Sequence, residues 1–572
     1  MKINFYNMNK QAKKGARLTA LALAALLALT ACGSADKKVE ESSVTGRESV
    51  IIDQYISSPE TGEAKEEYMM DVERAEPSSI AQTTVVPINP GDELIHNTES
   101  YERLDENRFM RVADQPLSTF AADVDTASYA NIRRFINQGS LPNKDAVRIE
   151  EMLNYFSYDY PKPKEGEPFS VTMEMGQTPW NEETKLLMVG LKAEDPLQNN
   201  RPASNLVFLI DVSGSMEGAD RLDLVKRAYL TLLDQLGPED KITIVTYASS
   251  DAVVLEGASL DNKAEIMTAI ENLTAGGSTH GSAGITTAYQ LAEKYFIKGG
   301  NNRIILATDG DLNVGLTSEG DLIDLVNEKR QSGVFLSVLA FGYGNYKDDK
   351  LEALADNGNG QLSYIDDIAE ARKVLSDELG STLFTVAKDV KLQVDFNPEY
   401  VKGYRLIGYE NRVMAAEDFD DDTKDGGELG AGHRVTALYE IVEADSDFEI
   451  PSVGSKYQKP ENAVTGEDNG EMLTVNIRYK KPDEDTSTEL NYPLVVDGIA
   501  EPSKNHRLSS AIAAFGMILK ESEYKGTADL DMVASILEEL KSDDPYVIEL
   551  LQMVQKAKTL PPSTDRPTTI NY

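Results

Sequence analysis

The stretch Leu206-Val207-Phe208-Leu209-Ile210-Asp211-Val212-Ser213-Gly214-Ser215-Met216 decides how the rest of the chain is read. Five apolar residues in a row describe a strand buried on both faces, as in a parallel sheet. That strand delivers an acid and two hydroxyls onto a tight turn at its carboxyl end. Two more elements follow. Gly276-Gly277-Ser278-Thr279 is a loop before a helix, and Ile304-Ile305-Leu306-Ala307-Thr308-Asp309-Gly310 is a second apolar strand ending in an acid.

Around these elements, residues 205–387 alternate strand and helix. Expected strands are Leu206–Ile210, Lys241–Tyr247, Ala252–Leu255, Arg303–Ala307, Val334–Phe341 and Gln361–Tyr364. Helical spacing fills most of the gaps, and a last helix is expected over Ile368–Phe384. Such alternation means a mostly parallel sheet covered on both faces. In an open sheet of order 3-2-1-4-5-6, the first and fourth strands are neighbours at the switch point where ligands bind. Asp211 and Asp309 should therefore sit side by side, with Thr279 folding in above them.

All five candidate ligands, Asp211, Ser213, Ser215, Thr279 and Asp309, offer oxygen. That suits a hard divalent cation, Mg²⁺ best, with Mn²⁺ or Ca²⁺ as the alternatives. Two carboxylates only balance the ion's charge, and three neutral hydroxyls leave it electrophilic. A coordination position then remains for water or for a carboxylate from a partner protein.

The flanks read differently. Before the α/β stretch, Phe169–Met173 alternates and Leu186–Leu191 is a buried run; after it, Val390–Val394, Tyr404–Tyr409, Val435–Val442 and Leu473–Tyr479 resume the strand period. The economical arrangement is one β-sandwich with the α/β domain inserted. Near the start of the folded part, Asp125 is expected to cap a helix through Tyr129 and Phe135, and a second helix covers Val147–Phe156. His506–Lys520, Asp529–Leu540 and Pro545–Ala557 read as amphipathic helices.

The first residues read as an address. Five Lys and Arg residues and no acid precede the apolar run Leu18–Ala31, too short to span a bilayer. The run ends Leu29-Thr30-Ala31-Cys32, which resembles a bacterial lipobox whose cysteine is lipidated, and Cys32 is the only cysteine in 572 residues. Residues 33–110 then carry 18 acidic and 7 basic side chains with few aromatics, the composition of a disordered tether. Its reach as a coil is on the order of 50 Å. The expected divisions are a signal peptide at 1–31, a tether at 32–115, a helical segment at 116–167, sandwich strands at 168–200, the α/β domain at 201–387, the rest of the sandwich at 388–500 and helices at 501–572.

Asp211-x-Ser213-x-Ser215 with Thr279 and Asp309 resembles the metal-ion-dependent adhesion site of von Willebrand factor type A domains. The likeness covers about 180 residues. Pro116–Phe120 and Asp123–Tyr129, together with Gly430–Glu440 and the C-terminal helices, resemble a family of bacterial type A lipoproteins with an uncharacterised C-terminal region. The resemblance implies that Asp211, Ser213, Ser215 and Thr279 line the cation, with Asp309 acting directly or through water. It also implies a lipid-anchored protein on the extracytoplasmic side of the cell membrane or outer membrane, binding a protein partner.

Charge and motif counts exclude the main rivals. With 96 Asp and Glu against 56 Lys and Arg, net −40, the chain lacks the basic footprint that nucleic acid requires. Cleavage before Cys32 would leave −45. No G-x-x-x-x-G-K-[ST] loop is present for a nucleotide, no H-E-x-x-H helix for zinc and no G-x-S-x-G elbow. The four histidines are scattered, and His280 and His433 read as structural. The acidic run Glu417–Asp422 fails the EF-hand spacing and reads as a solvated hairpin tip. An enzyme is therefore not expected, although an open cation can in principle activate water for hydrolysis. A scaffold with a purely structural metal site is the nearer alternative.

Overall fold

A computed structural model describes residues 97–122, 125–195, 201–278, 281–310, 319–451, 470–482, 484, 486–496 and 502–561. The expected signal peptide, Cys32 and most of the expected tether lie outside them, as does Asp123.

In chain order, β1 (Met110–Arg111), β2 (Leu117–Ala121), α1 (Ala127–Asn137), α2 (Ile149–Asn154), β3 (Phe169–Gln177) and β4 (Lys185–Ala193) come first. The α/β part follows with β5 (Ser204–Asp211), α3 (Leu222–Leu233), β6 (Lys241–Tyr247), β7 (Asp251–Ser259), α4 (Lys263–Glu271) and α5 (Gly281–Lys294). It continues through β8 (Asn301–Thr308), α6 (Glu319–Arg330), β9 (Phe335–Phe341), α7 (Asp348–Asn357), β10 (Leu362–Ile365), α8 (Ile368–Arg372) and α9 (Leu379–Leu383). Then come β11 (Thr385–Phe396), β12 (Val401–Ile407), β13 (Val413–Met414), β14 (Gly427–Gly430), β15 (Arg434–Glu443), β16 (Glu471–Lys480) and β17 (Thr488–Val495). The chain ends in α10 (Lys504–Lys520), α11 (Leu530–Leu540) and α12 (Pro545–Ala557).

The α/β sheet runs β10-β9-β8-β5-β6-β7, all parallel except β7. This is the expected 3-2-1-4-5-6 order. Every residue of β5 is buried, and successive side chains feed opposite cores. Leu206, Phe208 and Ile210 pack with α3 and α4, whereas Val207 and Leu209 pack with α5 and α7. An apolar run buried on both faces is what a sheet sandwiched between helix layers demands.

Two antiparallel sheets form the sandwich, β1-β12-β15-β4-β3 and β13-β2-β11-β16-β17, with β14 on β11. Strand β4, before the α/β part, pairs with β15 after it, Lys192 opposite Arg434. The insertion is thus real: one sheet is completed by chain on both sides of the α/β domain. Along β4, Leu187, Val189 and Leu191 face the second sheet, while Leu186 and Met188 join a separate helical core. That core unites α1 and α2 with α10–α12, so the N- and C-terminal helical parts pack as one body.

Several expectations are corrected. The tether was expected to reach residue 115, but the chain is already packed at 99. Glu99 is buried, its carboxylate held by Arg134 at 3.0 and 3.1 Å, and Val112 lies in the sandwich core. An acid paired with a buried guanidinium is not a solvated one, which composition alone does not reveal. The segment expected to be helical from 116 opens instead with β2, which adds to β11 with Phe120 opposite Leu392. Asp125 does not cap α1; it accepts from Leu362 N–H at 2.6 Å and pairs with Arg412 at 3.2 Å. The start of α1 is served by Glu151, whose carboxylate accepts from Ser128 N–H at 2.7 Å. The helix expected over 368–384 is broken by a wider turn at Lys373–Asp377 between α8 and α9. The acidic run 417–422 is anchored: Lys391 donates to the carbonyls of Asp418 and Asp421, and Phe419 beside them is buried.

Buried charges line the seam where α2 and α7 meet the β12–β13 connection. Arg412 pairs with Asp125, Glu352 and Asp356, and Arg148 with Asp348. Burial, with the charges of Asp348 and Asp356, pushes Glu352 up to about 8 against the pull of Arg412. A carboxyl raised this far keeps its proton in the fold while the unfolded chain releases it. Its contribution to stability is therefore complete below about pH 4.5 and is lost as pH rises through 8. Urea unfolding at pH 5 and 8.5 is expected to show wild type losing more stability than Glu352→Gln, by at most about 1.4 kcal/mol per pH unit. Parallel slopes in the two proteins would place the proton elsewhere.

Candidate metal centre

Parallel pairing of β5 with β8, Ile210 beside Ala307, brings the carboxyl ends of both strands together at the switch point of the sheet. Asp211 is the last residue of β5, Thr308 ends β8, and Asp309 follows it directly. Asp211, Ser213, Thr308 and Asp309 are almost wholly buried; Ser215 is exposed.

The turn after Asp211 is shaped by its own side chain. Asp211 Oδ1 accepts the Ser213 N–H at 2.8 Å, a local turn that acids favour. Ser213 Oγ and Ser215 Oγ lie 2.9 Å apart. Thr308 Oγ1 donates to Asp211 Oδ2 at 3.2 Å and itself accepts the Gly310 N–H at 3.2 Å. The glycine loop is stitched onto this turn: Gly276 N–H donates to Val212 O at 2.7 Å and Gly214 N–H to Gly277 O at 3.0 Å. Ser278 N–H is held by Ser249 Oγ at 3.0 Å. The loop therefore meets the turn at Gly276 and Gly277. Thr279 and His280 lie outside the described residues.

Two contacts at Asp309, and a close approach at Gly310 beside it, were not read from the sequence. Arg221 Nε approaches Asp309 Oδ2 at 3.8 Å while Arg221 Nη2 donates to Tyr343 O at 2.7 Å. Asn345 Nδ2 lies 3.5 Å from Asp309 Oδ1. Gly310 has φ +115°, and a Cβ there would stand 2.4 Å from Asn345 O. Only glycine admits so close an approach. Thr308 could have been found, because a hydroxyl one residue before a strand-end acid falls beside the neighbouring strand's acid. Arg221 and Asn345 carry no such signal.

Burial pushes Asp211 up to about 6, with the charge of Asp309 adding to it and the hydrogen bonds from Ser213 opposing. Two buried carboxylates and two hydroxyls converge here, a donor set of oxygens alone. Such a set fits a hard divalent cation better than a soft one. A second acidic group, Asp389, Asp425 and Glu428, lies where the sandwich meets the α/β part. Lys480 pairs with Asp389 at 2.7 Å, Arg330 with Asp425 at 2.6 Å, and Asn359 donates to Glu428 at 2.9 Å. The protein's own cations already serve it. The described histidines support the fold: His506 Nε2 lies 2.8 Å from Leu186 O, and His433 O accepts from Ala193 N–H at 2.8 Å.

A family model for the von Willebrand factor type A domain matches residues 205–377, one described as von Willebrand factor matches 95–188, and one described as "Uncharacterized protein YfbK, C-terminal" matches 381–560. The uncharacterized protein YfbK of Escherichia coli (strain K12) is 42% identical over 479 residues, 82% of each chain. The chain belongs to the YfbK family. Other likenesses are partial. Inter-alpha-trypsin inhibitor heavy chain H1 of Sus scrofa is 29% identical over 199 residues, 33% of this chain and 22% of its own. The E3 ubiquitin-protein ligase WAV3 of Arabidopsis thaliana is 25% identical over 36% of this chain and 26% of its own. The solved structure of a von Willebrand factor type A protein from Catenulispora acidiphila covers 70% of this chain and 91% of its own, with 17% identity and a TM-score of 0.40.

Type A domains generally mediate protein–protein interaction and often hold a divalent metal at the adhesion site. In this YfbK family member, Asp211, Ser213, Ser215 and Asp309 lie within the matched type A domain. No described helix is long and apolar enough to cross a membrane.

Proposed function

We propose that this protein is a lipid-anchored cell-envelope protein that binds a partner protein through a divalent cation in its type A domain. Asp211, Ser213, Ser215 and Thr279 would hold the ion, Mg²⁺ best, with Asp309 acting directly or through water. When bound, the cation supplies an electrophilic position for a partner's carboxylate oxygen. Ser213 and Ser215 donate neutral oxygens, and Asp211 and Asp309 balance the charge without exceeding it. Thr308 and the Ser213 N–H keep the Asp211 carboxylate oriented.

One observation carries this reading: two buried carboxylates meet at the switch point of the sheet beside a pair of hydroxyls 2.9 Å apart. Anchoring through Cys32 would place the site outside the cytoplasm, at the cell membrane or outer membrane. The anionic body should slow encounter with an acidic partner at low salt, and added salt should speed it.

The test is a pull-down from envelope extract with the full chain. A partner recovered in Mg²⁺ is expected to be lost both in EDTA and with Asp211→Ala. Equal recovery in all three would overturn the binding mechanism.

A further inference from the structure

Residues Asn97–Tyr101 form a strap along the loop that follows β9. Thr98 N–H donates to Gly344 O at 2.8 Å, Ser100 N–H to Tyr346 O at 3.1 Å, and Asp348 N–H to Ser100 O at 3.2 Å. Ser100 and Lys347 form a parallel bridge, and Lys347 Nζ also donates to Thr98 O. Glu99 adds a buried clamp, accepting the Gly344 N–H at 2.8 Å while Arg134 holds its carboxylate.

The same loop touches the metal centre. Thr98 Oγ1 lies 3.1 Å from Asn345 Oδ1 and 3.2 Å from Gly344 O, two acceptors that share its one proton, and the other end of that amide, Asn345 Nδ2, faces Asp309 Oδ1 at 3.5 Å. Asn345 O also abuts Gly310, which follows Asp309. Gly344 sits at φ +88°, a turn conformation that glycine adopts without the strain a side chain would bring. The strap grips it from one neighbour and the Asp309–Gly310 turn leans on it from another.

We propose that Asn345 is a positioning residue for Asp309, and that the strap Asn97–Tyr101, by fixing Asn345, raises the affinity of the site for its cation. This rests on the metal reading above. Linkage makes the coupling reciprocal: whatever the strap adds to cation affinity, the cation adds to the hold on the strap.

Mn²⁺ titration of the full chain by calorimetry and electron paramagnetic resonance tests it. Asn345→Ala and Thr98→Val are expected to weaken Mn²⁺ binding about fivefold or more, within the usual range of coupling. Thr98→Ser, which keeps the hydroxyl, is expected to bind like wild type. Amide exchange at Thr98 and Ser100 should slow when Mn²⁺ is added to wild type and respond less in Asn345→Ala. Thr98→Val removes one hydroxyl at the surface, so its fold is not at issue, and melting in EDTA checks this. If wild type binds Mn²⁺ and both variants bind it equally, the strap has no part in the site and this inference falls alone. If wild type binds neither Mn²⁺ nor Mg²⁺, the metal reading falls and takes the strap with it.

Discussion

Asp211→Ala is expected to abolish the stabilisation that Mg²⁺ or Mn²⁺ gives the protein, while stability in EDTA stays level or rises. The carboxylate has no exposed surface, and Asp309 lies just past the end of the neighbouring strand. Without a cation, an ionised group in this turn pays for its lost water with few compensating donors, chiefly Ser213 N–H and Thr308 Oγ1. Alanine removes that penalty and leaves those two donors to find other partners, so the two effects oppose each other. With the cation the balance changes. A ligand at a hundred times its Kd stabilises the fold by about 2.7 kcal/mol, and that gain should be present in wild type and absent in the variant. Thermal or urea unfolding with and without millimolar Mg²⁺ measures it. An equal gain in both proteins would place the cation somewhere other than the end of β5.

Arg133→Met should be the most destabilising single change outside the site, by about 3–5 kcal/mol. Arg133 projects from α1 and is nearly fully buried. Its Nε lies 2.9 Å from Asp366, its Nη2 2.7 Å from Glu370, and its Nη1 3.1 Å from Glu549 on α12. Tyr155 links to the same cluster, its ring hydroxyl donating to Glu370 at 2.7 Å. One guanidinium thus joins the first helix, the end of the type A domain and the last helix. Methionine fills the stem's volume but leaves Glu370 buried beside Asp366 with no cation between them. Urea unfolding measures the loss, and adding Glu370→Gln should restore part of it. A loss below about 1 kcal/mol would mean that both acids shed their charge or regain water.

The parts of this fold that were legible are those whose burial is written in consecutive residues. The run from Leu206 to Ile210 is apolar on both faces, and alternating helices and strands leave few ways to order a parallel sheet. The strand period on both sides of 205–387 revealed the insertion, because a half-sheet needs its other half. What was missed depends on partners far away in sequence. In β2, Leu117-Ser118-Thr119-Phe120-Ala121 is short and half polar, and only its place beside β11 makes it a strand. Glu99 looked solvated because Arg134 is 35 residues away. At the candidate site, the acids and hydroxyls were visible at and just after strand ends, but Arg221 and Asn345 reach Asp309 from separate loops whose course no local pattern announces.

The interrupted sheet bears on the order in which the molecule assembles. About 240 residues separate Lys192 from Arg434, its partner across β4 and β15. Closing so long a gap while it is still a coil costs entropy that contacts repay only afterwards, so non-local pairing is slow. A folded insert shortens the gap, and the type A domain should therefore become native before the sandwich zips. The only tryptophan, Trp180, lies on the late side of that sequence, buried in the helical core with its indole N–H on Glu440 of β15 at 2.8 Å. Its fluorescence in a refolding experiment should report the final closure and stay silent during the earlier step.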